Sequence, residues 1–307
     1  MINNFEQLLE KALHVSRKSV VVIYPNNEET FSALHEVLNL HLADLILIGD
    51  PAVIARGFNG NKKSKSIEII SAKSPQDALR KAVDLLRRGK GDILMKGGID
   101  TSTMMKAVLQ EDAGIRAGRL LSDIFILEFP PRKQNKFIMI TDGGMTLAPD
   151  LKNKMELIAN AVEVAHALDN PNPKVAVLSA TEFILPNLPS TLDAAALSKM
   201  NERGQIKGCV VDGPFALDNA ISEEAASEKK INSPVAGQAE ILIAANIESA
   251  NSLAKSTTFF AGLRLAHVIV GGRVPILIPS RADKSEAKLL SVGLGVIMAD
   301  YSRKQPD

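Results

Sequence analysis

The chain alternates short runs of apolar, often β-branched residues with longer segments that have helical periodicity. Several of the short runs are apolar at nearly every position, which is typical of strands covered on both faces of a sheet. The alternation predicts an α/β fold with mostly parallel strands. The predicted strands are Val20–Tyr24, Leu45–Ile48, Ile67–Ile70, Asp92–Met95, Ile124–Phe129, Phe137–Ile140, Lys174–Leu178, Cys209–Val211, Ile241–Ala244, His267–Val270 and Ile276–Ile278. The predicted helices are Glu28–Leu42, Pro75–Arg88, Thr103–Gln110, Leu151–Leu168, Thr191–Asn201, Ala216–Ser227, Glu248–Ala261 and Ser285–Ala299.

The composition narrows the classes of partner. With 46% apolar and 23% charged residues, the 307-residue chain can bury sizeable cores. Lys and Arg total 36 against 35 Asp and Glu, so the net charge of +1 predicts neither a nucleic-acid partner nor an acidic membrane. Met1–Glu10 lacks the pattern of a signal peptide, and no apolar run approaches the ~18 residues of a membrane span. We therefore expect a cytoplasmic protein.

Motif searches exclude several chemistries. The chain has no G-x-x-x-x-G-K-[ST], no G-x-G-x-x-G between a strand and a helix, no H-E-x-x-H and no paired cysteines. We therefore expect neither nucleotide hydrolysis nor a metal site. The single cysteine, Cys209, lies in an apolar stretch and is expected to be buried rather than nucleophilic.

Glycine- and proline-containing loops follow many of the predicted strands, where ligands of open α/β sheets bind. The loop Met95–Ser102 opens a helix, so its backbone N–H groups, with Lys96 and the Thr101 hydroxyl, are one candidate for an anion site. A plain glycine turn with Thr101 or Ser102 as the N-cap explains the same spacing equally well.

Three further loops carry polar residues. In Thr141–Asp150, the glycines indicate a tight turn and Asp150 is expected to cap the next helix. In Val211–Ala220, Pro214 is well placed for a helix start. In Ser280–Glu286, Asp283 and Glu286 have the spacing of a capping box, which spacing alone favours. A hydroxyl, a guanidinium and a carboxylate beyond one apolar strand also form a compact catalytic set.

Five collinear stretches resemble the phosphate acetyl/butyryl transferase family. The resemblance runs from Val20 to Val296, and its LMKG and SRAD segments are most similar to phosphate butyryltransferases. The stretches are LMKGGIDTSTMMKAVLQEDAGIRAGRLLS, MTLAPDL, NPKVAVLSATE, DGPFALDNAIS and SPVAGQAEILIAANIESANSLAKS…VIVGGRVPILIPSRADKSEAK.

The resemblance implies a fold like that of isocitrate and isopropylmalate dehydrogenases, with two α/β lobes flanking a cleft that holds the active site. We expect residues 1–140 with 284–307 in the first lobe and 141–283 in the second. The implied reaction is the reversible conversion of a short-chain acyl-CoA and phosphate to an acyl phosphate and CoA. Coenzyme A is then a substrate, no cofactor is needed, and the family implies a homodimer.

The resemblance also implies roles for individual residues. Asp283 would be the general base toward the thiol of coenzyme A, with Glu286 as its competitor. Ser280 would stabilise an oxyanion and Arg281 would hold the phosphate. The remaining expected contacts are Lys96, Gly97 and Thr101 for phosphate, and Asn251 and Lys255 for coenzyme A.

The chain departs from the family pattern at Asp123, Gln238 and Ala250. The change at Ala250 adds a Cβ atom where coenzyme A is expected to approach the backbone closely. Three alternatives stay open. A phosphate acetyltransferase belongs to the same family, and a metal-dependent dehydrogenase has the same fold. The departures at Ala250 and Asp123 would also be compatible with a non-catalytic protein that binds CoA or acyl phosphate. For the dehydrogenase, the sequence offers no cluster of Asp ligands.

Overall fold

The computed structural model describes residues 1–58, 65–110, 115–129, 136–280 and 282–304. It divides into two compact units. We call Phe5–Arg119 with Ala266–Asp307 the N-terminal unit, and Met1–Asn4 with Leu120–Leu265 the central unit. The unit bounds fall earlier in the chain than the expected ends at 140 and 283. As a result, the segment Ser280–Asp283 belongs to the same unit as Lys96, whereas the expected bounds separated them.

In the N-terminal unit, strands and helices alternate along the chain. Its helices are α1 (Phe5–His14), α2 (Glu28–Asn39), α3 (Pro51–Gly57), α4 (Pro75–Arg87), α5 (Thr101–Leu109) and α11 (Ser285–Lys304). Its strands are β1 (Ser19–Ile23), β2 (Asp44–Gly49), β3 (Ile67–Ser71), β4 (Ile93–Lys96), β10 (Leu265–Val270) and β11 (Ile276–Leu277).

These strands follow the spatial order β3-β2-β1-β4-β11-β10. All neighbours are parallel except β10, which runs antiparallel to β11. In the register, Ile23 of β1 faces Lys96 of β4, and Met95 of β4 faces Leu277 of β11. The carboxyl ends of β1, β4 and β11 therefore lie side by side at one edge of the sheet.

Helix α11 is the most buried helix of this unit. From Leu290 to Asp300 it is buried at every position, so it is enclosed rather than amphipathic. Near its end, Asp300 accepts a hydrogen bond at 2.9 Å from Lys18, whose side chain is fully buried. This buried ion pair ties the far end of α11 to the residue that precedes β1.

The central unit has the same alternation. Its helices are α6 (Leu151–Ala167), α7 (Pro189–Glu202), α8 (Leu217–Ile221), α9 (Glu223–Glu228) and α10 (Ile247–Phe259). Its strands are β5 (Ser122–Phe129), β6 (Lys136–Thr141), β7 (Lys174–Leu178), β8 (Val210–Phe215) and β9 (Ile241–Ile243). They follow the order β5-β6-β9-β7-β8, in which β5 is antiparallel to β6 and the other pairs are parallel.

The structure confirms the predicted α/β class and a strand at each predicted position. It also contains α1 and α3, which were not predicted. The single helix expected over Ala216–Ser227 is wrong. The helix is interrupted at Ser222, whose hydroxyl caps α9. Pro214 does not start a helix either, since it lies within β8. None of the helices built from the described residues has the length and apolar character that crossing a membrane requires.

Candidate functional site

The turn between β4 and α5 is held against the end of β1. The Gly97 and Gly98 amides donate to the carbonyl oxygens of Ile23 and Tyr24, at 2.9 and 2.7 Å. A Cβ atom on Gly97 would lie 2.4 Å from the Ile23 oxygen, so only glycine allows this close approach. The Gly97 and Gly98 N–H groups are therefore already bonded to the carboxyl end of β1 and are not available to an anion in this structure.

Lys96 is the last residue of β4 and is only 5% exposed. Its ammonium donates to the carbonyl oxygen of Ile99, 3.4 Å away within the same turn. The buried side chain thus places a cation at the carboxyl end of the strand rather than in bulk water.

Helix α5 begins with Thr101, but neither Thr101 nor Ser102 is its N-cap as the alternative interpretation expected. The cap is Asp100, whose carboxylate accepts the Thr103 amide at 2.9 Å and the Ser102 hydroxyl at 2.7 Å. Hydrogen bonds from Thr103 and then Ser102 hold the pKa of Asp100 below its ordinary range. Thr101 itself is exposed at the start of the helix.

The connection between β11 and α11 closes on itself. The Ser280 amide donates to Asp283 Oδ2 at 2.7 Å, and the Asp283 amide donates to the Ser280 carbonyl at 3.2 Å. The Ser280 hydroxyl oxygen accepts a 3.4 Å bond from the Ala282 amide, and that bond does not use the hydroxyl proton. A serine hydroxyl and a carboxylate are therefore held within one short turn.

The capping box expected at Asp283 and Glu286 is wrong for Asp283. Its carboxylate turns back to the Ser280 amide and does not cap α11. The Ser285 amide at the helix start instead donates to Glu29 Oε2 of α2, at 2.6 Å. Asp283 is therefore not the helix cap that its spacing to Glu286 favoured.

The strand register brings these two turns together. Because Met95 faces Leu277, Lys96 ends its strand beside the residues that lead into Ser280, and adjacent strands lie about 4.8 Å apart. His267 of β10 reaches the same place, with Nε2 4.0 Å from Asp283 Oδ2. Arg281, which we expect to hold phosphate, lies outside the described residues.

A second polar turn follows β6 in the central unit. The Asp142 carboxylate accepts backbone N–H bonds from Asp123, Gly144, Met145 and Thr146 at 2.7–3.1 Å. Burial raises the pKa of Asp142 to about 6, and the nearby Asp123 carboxylate adds to the rise. One buried side chain thus organises a whole loop at the carboxyl end of its strand.

The expected coenzyme A residues lie on α10 of the central unit. The Asn251 amide nitrogen donates to the Gly143 carbonyl at 2.9 Å, so Asn251 fastens the loop that Asp142 organises. Lys255 is exposed one turn further on. Ala250 is fully buried in the apolar core, so its Cβ atom points away from solvent.

The two other departures from the family pattern also have structural partners. The amide oxygen of Gln238 accepts a hydrogen bond from Lys174. Asp123 is buried, and a Cβ atom on Gly144 would lie 2.5 Å from Asp123 Oδ2. A side chain at position 144 would therefore require the Asp123 carboxylate to move.

The described residues contain neither a reactive thiol nor a cluster of metal ligands. Cys209 is buried, and burial raises the pKa of its thiol to about 11. Among the described residues, no three His, Cys, Asp or Glu side chains lie together as metal ligands would.

The fold and these loops match one family of transferases. The family model described as "Phosphate acetyl/butaryl transferase" matches residues 54–296, and the chain belongs to this family. The match includes β4, the turn that carries Lys96, and the whole connection from Ser280 to Asp283.

Similar proteins cover nearly the whole chain. A phosphate butyryltransferase of Clostridium acetobutylicum is 38% identical over 97% of this chain and 99% of its own. A phosphate acetyltransferase of Thermotoga maritima is 41% identical over 95% of this chain and 99% of its own. Among solved structures, a branched-chain phosphotransacylase from Enterococcus faecalis aligns with a TM-score of 0.80 and 29% identity, covering 92% of this chain and 99% of that one.

Proposed function

We propose that this protein transfers a short acyl group between coenzyme A and inorganic phosphate, with butyryl-CoA as the preferred thioester. The observation that carries the proposal is the shared sheet edge, where Lys96 ends β4 beside the β11 extension that holds Ser280 and Asp283. Family membership and the butyryltransferase similarity of the full chain support the same reaction.

Asp283 is proposed as the general base in the direction that forms acyl-CoA. A coenzyme A thiol with a pKa near ~8.5 must lose its proton before it attacks the acyl phosphate. A carboxylate within reach of that proton typically accelerates such a step by about 10²- to 10⁴-fold. The hydrogen bond from the Ser280 N–H holds Oδ2 of Asp283 and leaves Oδ1 to accept the proton of the thiol.

Ser280 is proposed as the donor to the oxyanion that forms on the acyl carbon. Its hydroxyl proton takes no part in the bond from Ala282, so it can be directed toward a substrate oxygen. A single donor of this kind is worth about 3 kcal/mol of barrier.

The phosphate seat is proposed to combine Lys96, Thr101 and Arg281. A planar guanidinium matches two phosphate oxygens at once, which a lysine ammonium cannot do. Lys96 and the Thr101 hydroxyl would add one contact each from the neighbouring turn. Gly97 is proposed to serve by allowing that turn to approach β1, rather than by donating its amide.

Coenzyme A is proposed to contact Asn251 and Lys255. Asn251 already fastens the Gly143 loop through its amide nitrogen, so its oxygen is the atom proposed for the ligand. The proposed assembly is a homodimer in the cytoplasm, and the reaction as written needs no metal or redox cofactor.

Steady-state kinetics test the assignment. Phosphate-dependent loss of thioester absorbance is measured with butyryl-, acetyl- and branched-chain acyl-CoA. Arg281→Ala should raise KM for phosphate and lower kcat, while Ser280→Ala should lower kcat by about 10²- to 10³-fold. Arg273→Ala, an exposed arginine near the amino end of β11, is the matched control. Unchanged kinetics in both site variants would remove this site from consideration.

Acetyl transfer is the second candidate function, because an acetyltransferase is 41% identical to this chain. A higher kcat/KM for acetyl-CoA than for butyryl-CoA would favour it over the butyryl assignment. Binding of CoA without turnover of any acyl-CoA would identify a non-catalytic protein.

A further inference from the structure

A buried lysine lies beneath the turn that carries Ser280 and Asp283. Lys288, one turn into α11, is only 2% exposed. Its ammonium donates to the carbonyl oxygen of Ser280 at 3.5 Å and to the carbonyl oxygen of Asp283. These two carbonyls belong to the first and last residues of the turn, so one cation binds both of its ends.

A charge in such a position is costly unless it is well paired. Burial lowers the pKa of Lys288, and the carboxylates of Asp283 and Glu29 oppose that shift. Both carboxylates also have backbone partners, because Asp283 accepts from Ser280 and Glu29 accepts from Ser285. The lysine, the two carboxylates and the turn therefore form one connected polar network.

The neighbouring elements α11 and β10 are hydrogen-bonded to each other. The His267 amide on β10 donates to the Ser291 hydroxyl of α11 at 3.0 Å. The His267 ring is the titratable group that faces Asp283 from β10. Lys288 thus links the turn to a buried helix that is itself hydrogen-bonded to β10.

We propose that Lys288 is a positioning residue for the transfer reaction. Its ammonium fixes the carbonyls of Ser280 and Asp283, so that the hydroxyl and the carboxylate of the turn keep one relative geometry. This inference rests on the proposed function, because it assigns Lys288 to the turn that carries the proposed catalytic groups. Lys288 is not proposed to touch substrate.

The proposal predicts a specific kinetic pattern. Lys288→Met keeps the apolar length of the side chain but removes the donor, and misplacement of reacting groups by about 1 Å costs up to about 100-fold in rate. We expect kcat to fall by about 10- to 100-fold with little change in KM for CoA, whose proposed contacts lie in the central unit. Lys288→Arg keeps a cation with several donors and should recover much of the lost kcat.

Lys284→Met is the matched control, because Lys284 is an exposed lysine in the same connection. It should leave kcat at the wild-type value. A folded Lys288→Met variant with wild-type kcat would overturn the proposal, and so would equal losses in the Lys284 and Lys288 variants. If Lys288→Met does not fold, the folded Lys288→Arg variant decides: kcat near wild type supports the proposal, and a loss as large as that of Ser280→Ala overturns it.

The parent assignment is tested in the same assay with Ser280→Ala. A large loss in Ser280→Ala together with full activity in Lys288→Met would reject the positioning role alone. Full activity in Ser280→Ala would reject the proposed site itself. The two failures are therefore distinguishable.

Discussion

The buried carboxylate of Asp142 should make the stability of this protein depend on pH in an unusual direction. Asp142 is 3% exposed, and burial followed by the nearby Asp123 carboxylate raises its pKa from 3.8 to about 6. Between pH 3.8 and about pH 6, the unfolded chain therefore binds fewer protons at Asp142 than the folded chain does. The contribution of Asp142 to stability is complete below pH 3.8 and is lost as the pH rises through about 6.

The size of the effect follows from the shift. A difference of about two pKa units corresponds to about 3 kcal/mol. Asp142→Asn removes the titration but keeps an oxygen that can accept the backbone N–H groups of Gly144 and Met145. The amide nitrogen of the asparagine would face the Thr146 N–H, so a constant penalty is expected at all pH values.

The assay is urea unfolding of the wild type and of Asp142→Asn at a series of pH values. The free energy of unfolding of the wild type minus that of the variant should fall by about 2 kcal/mol between about pH 4 and about pH 7, and the rest of the change lies below pH 4. Asp150→Asn is the control, because Asp150 is exposed and asparagine also serves as an N-cap. A wild-type-minus-variant difference that stays constant with pH, or that grows as the pH rises, would refute the reasoning.

Three further outcomes are expected from single substitutions. Cys209→Ser should leave kcat unchanged, and the wild-type thiol should react slowly with alkylating reagents at neutral pH, because burial raises its pKa to about 11. Gly97→Ala should raise KM for phosphate and destabilise the protein by about 1–3 kcal/mol, since the new Cβ atom would lie 2.4 Å from the Ile23 oxygen; unchanged unfolding and kinetics would contradict this. Asp300→Ala should cost about 3–5 kcal/mol in urea unfolding, because it leaves the ammonium of Lys18 buried without its carboxylate, whereas a small loss would show that water reaches Lys18.

Much of the fold was predictable because its signals are local. Apolar runs such as Val20–Tyr24 predict buried strands, and β1 lies within one residue of that range at each end. The signal for α3 was also local, since Asp50 caps it and Pro51 stands at its first position. The break at Ser222 is less visible, because the whole segment Ala216–Ser227 is compatible with one helix.

The details of the candidate site depend on contacts between distant residues. Spacing favoured Asp283 as a helix cap, but the structure assigns the contact at the start of α11 to Glu29, 256 residues away in the chain. Glycine at position 97 was expected to present an amide to an anion, yet the Ile23 carbonyl occupies that amide. Lys288 was visible only as the last letter of a family stretch, since nothing in its sequence context indicates that it is buried.

The central claim is that Asp283 in the turn after β11 acts as the base of acyl transfer. It is tested most directly by comparing Asp283→Asn with Glu286→Gln in the conversion of butyryl phosphate and CoA to butyryl-CoA. Asparagine can still accept the Ser280 amide, so the turn is retained while the base is lost. We expect kcat to fall by about 10²- to 10⁴-fold in Asp283→Asn and to stay near wild type in Glu286→Gln. A wild-type kcat in Asp283→Asn would contradict the account. So would a loss of that size in Glu286→Gln with none in Asp283→Asn.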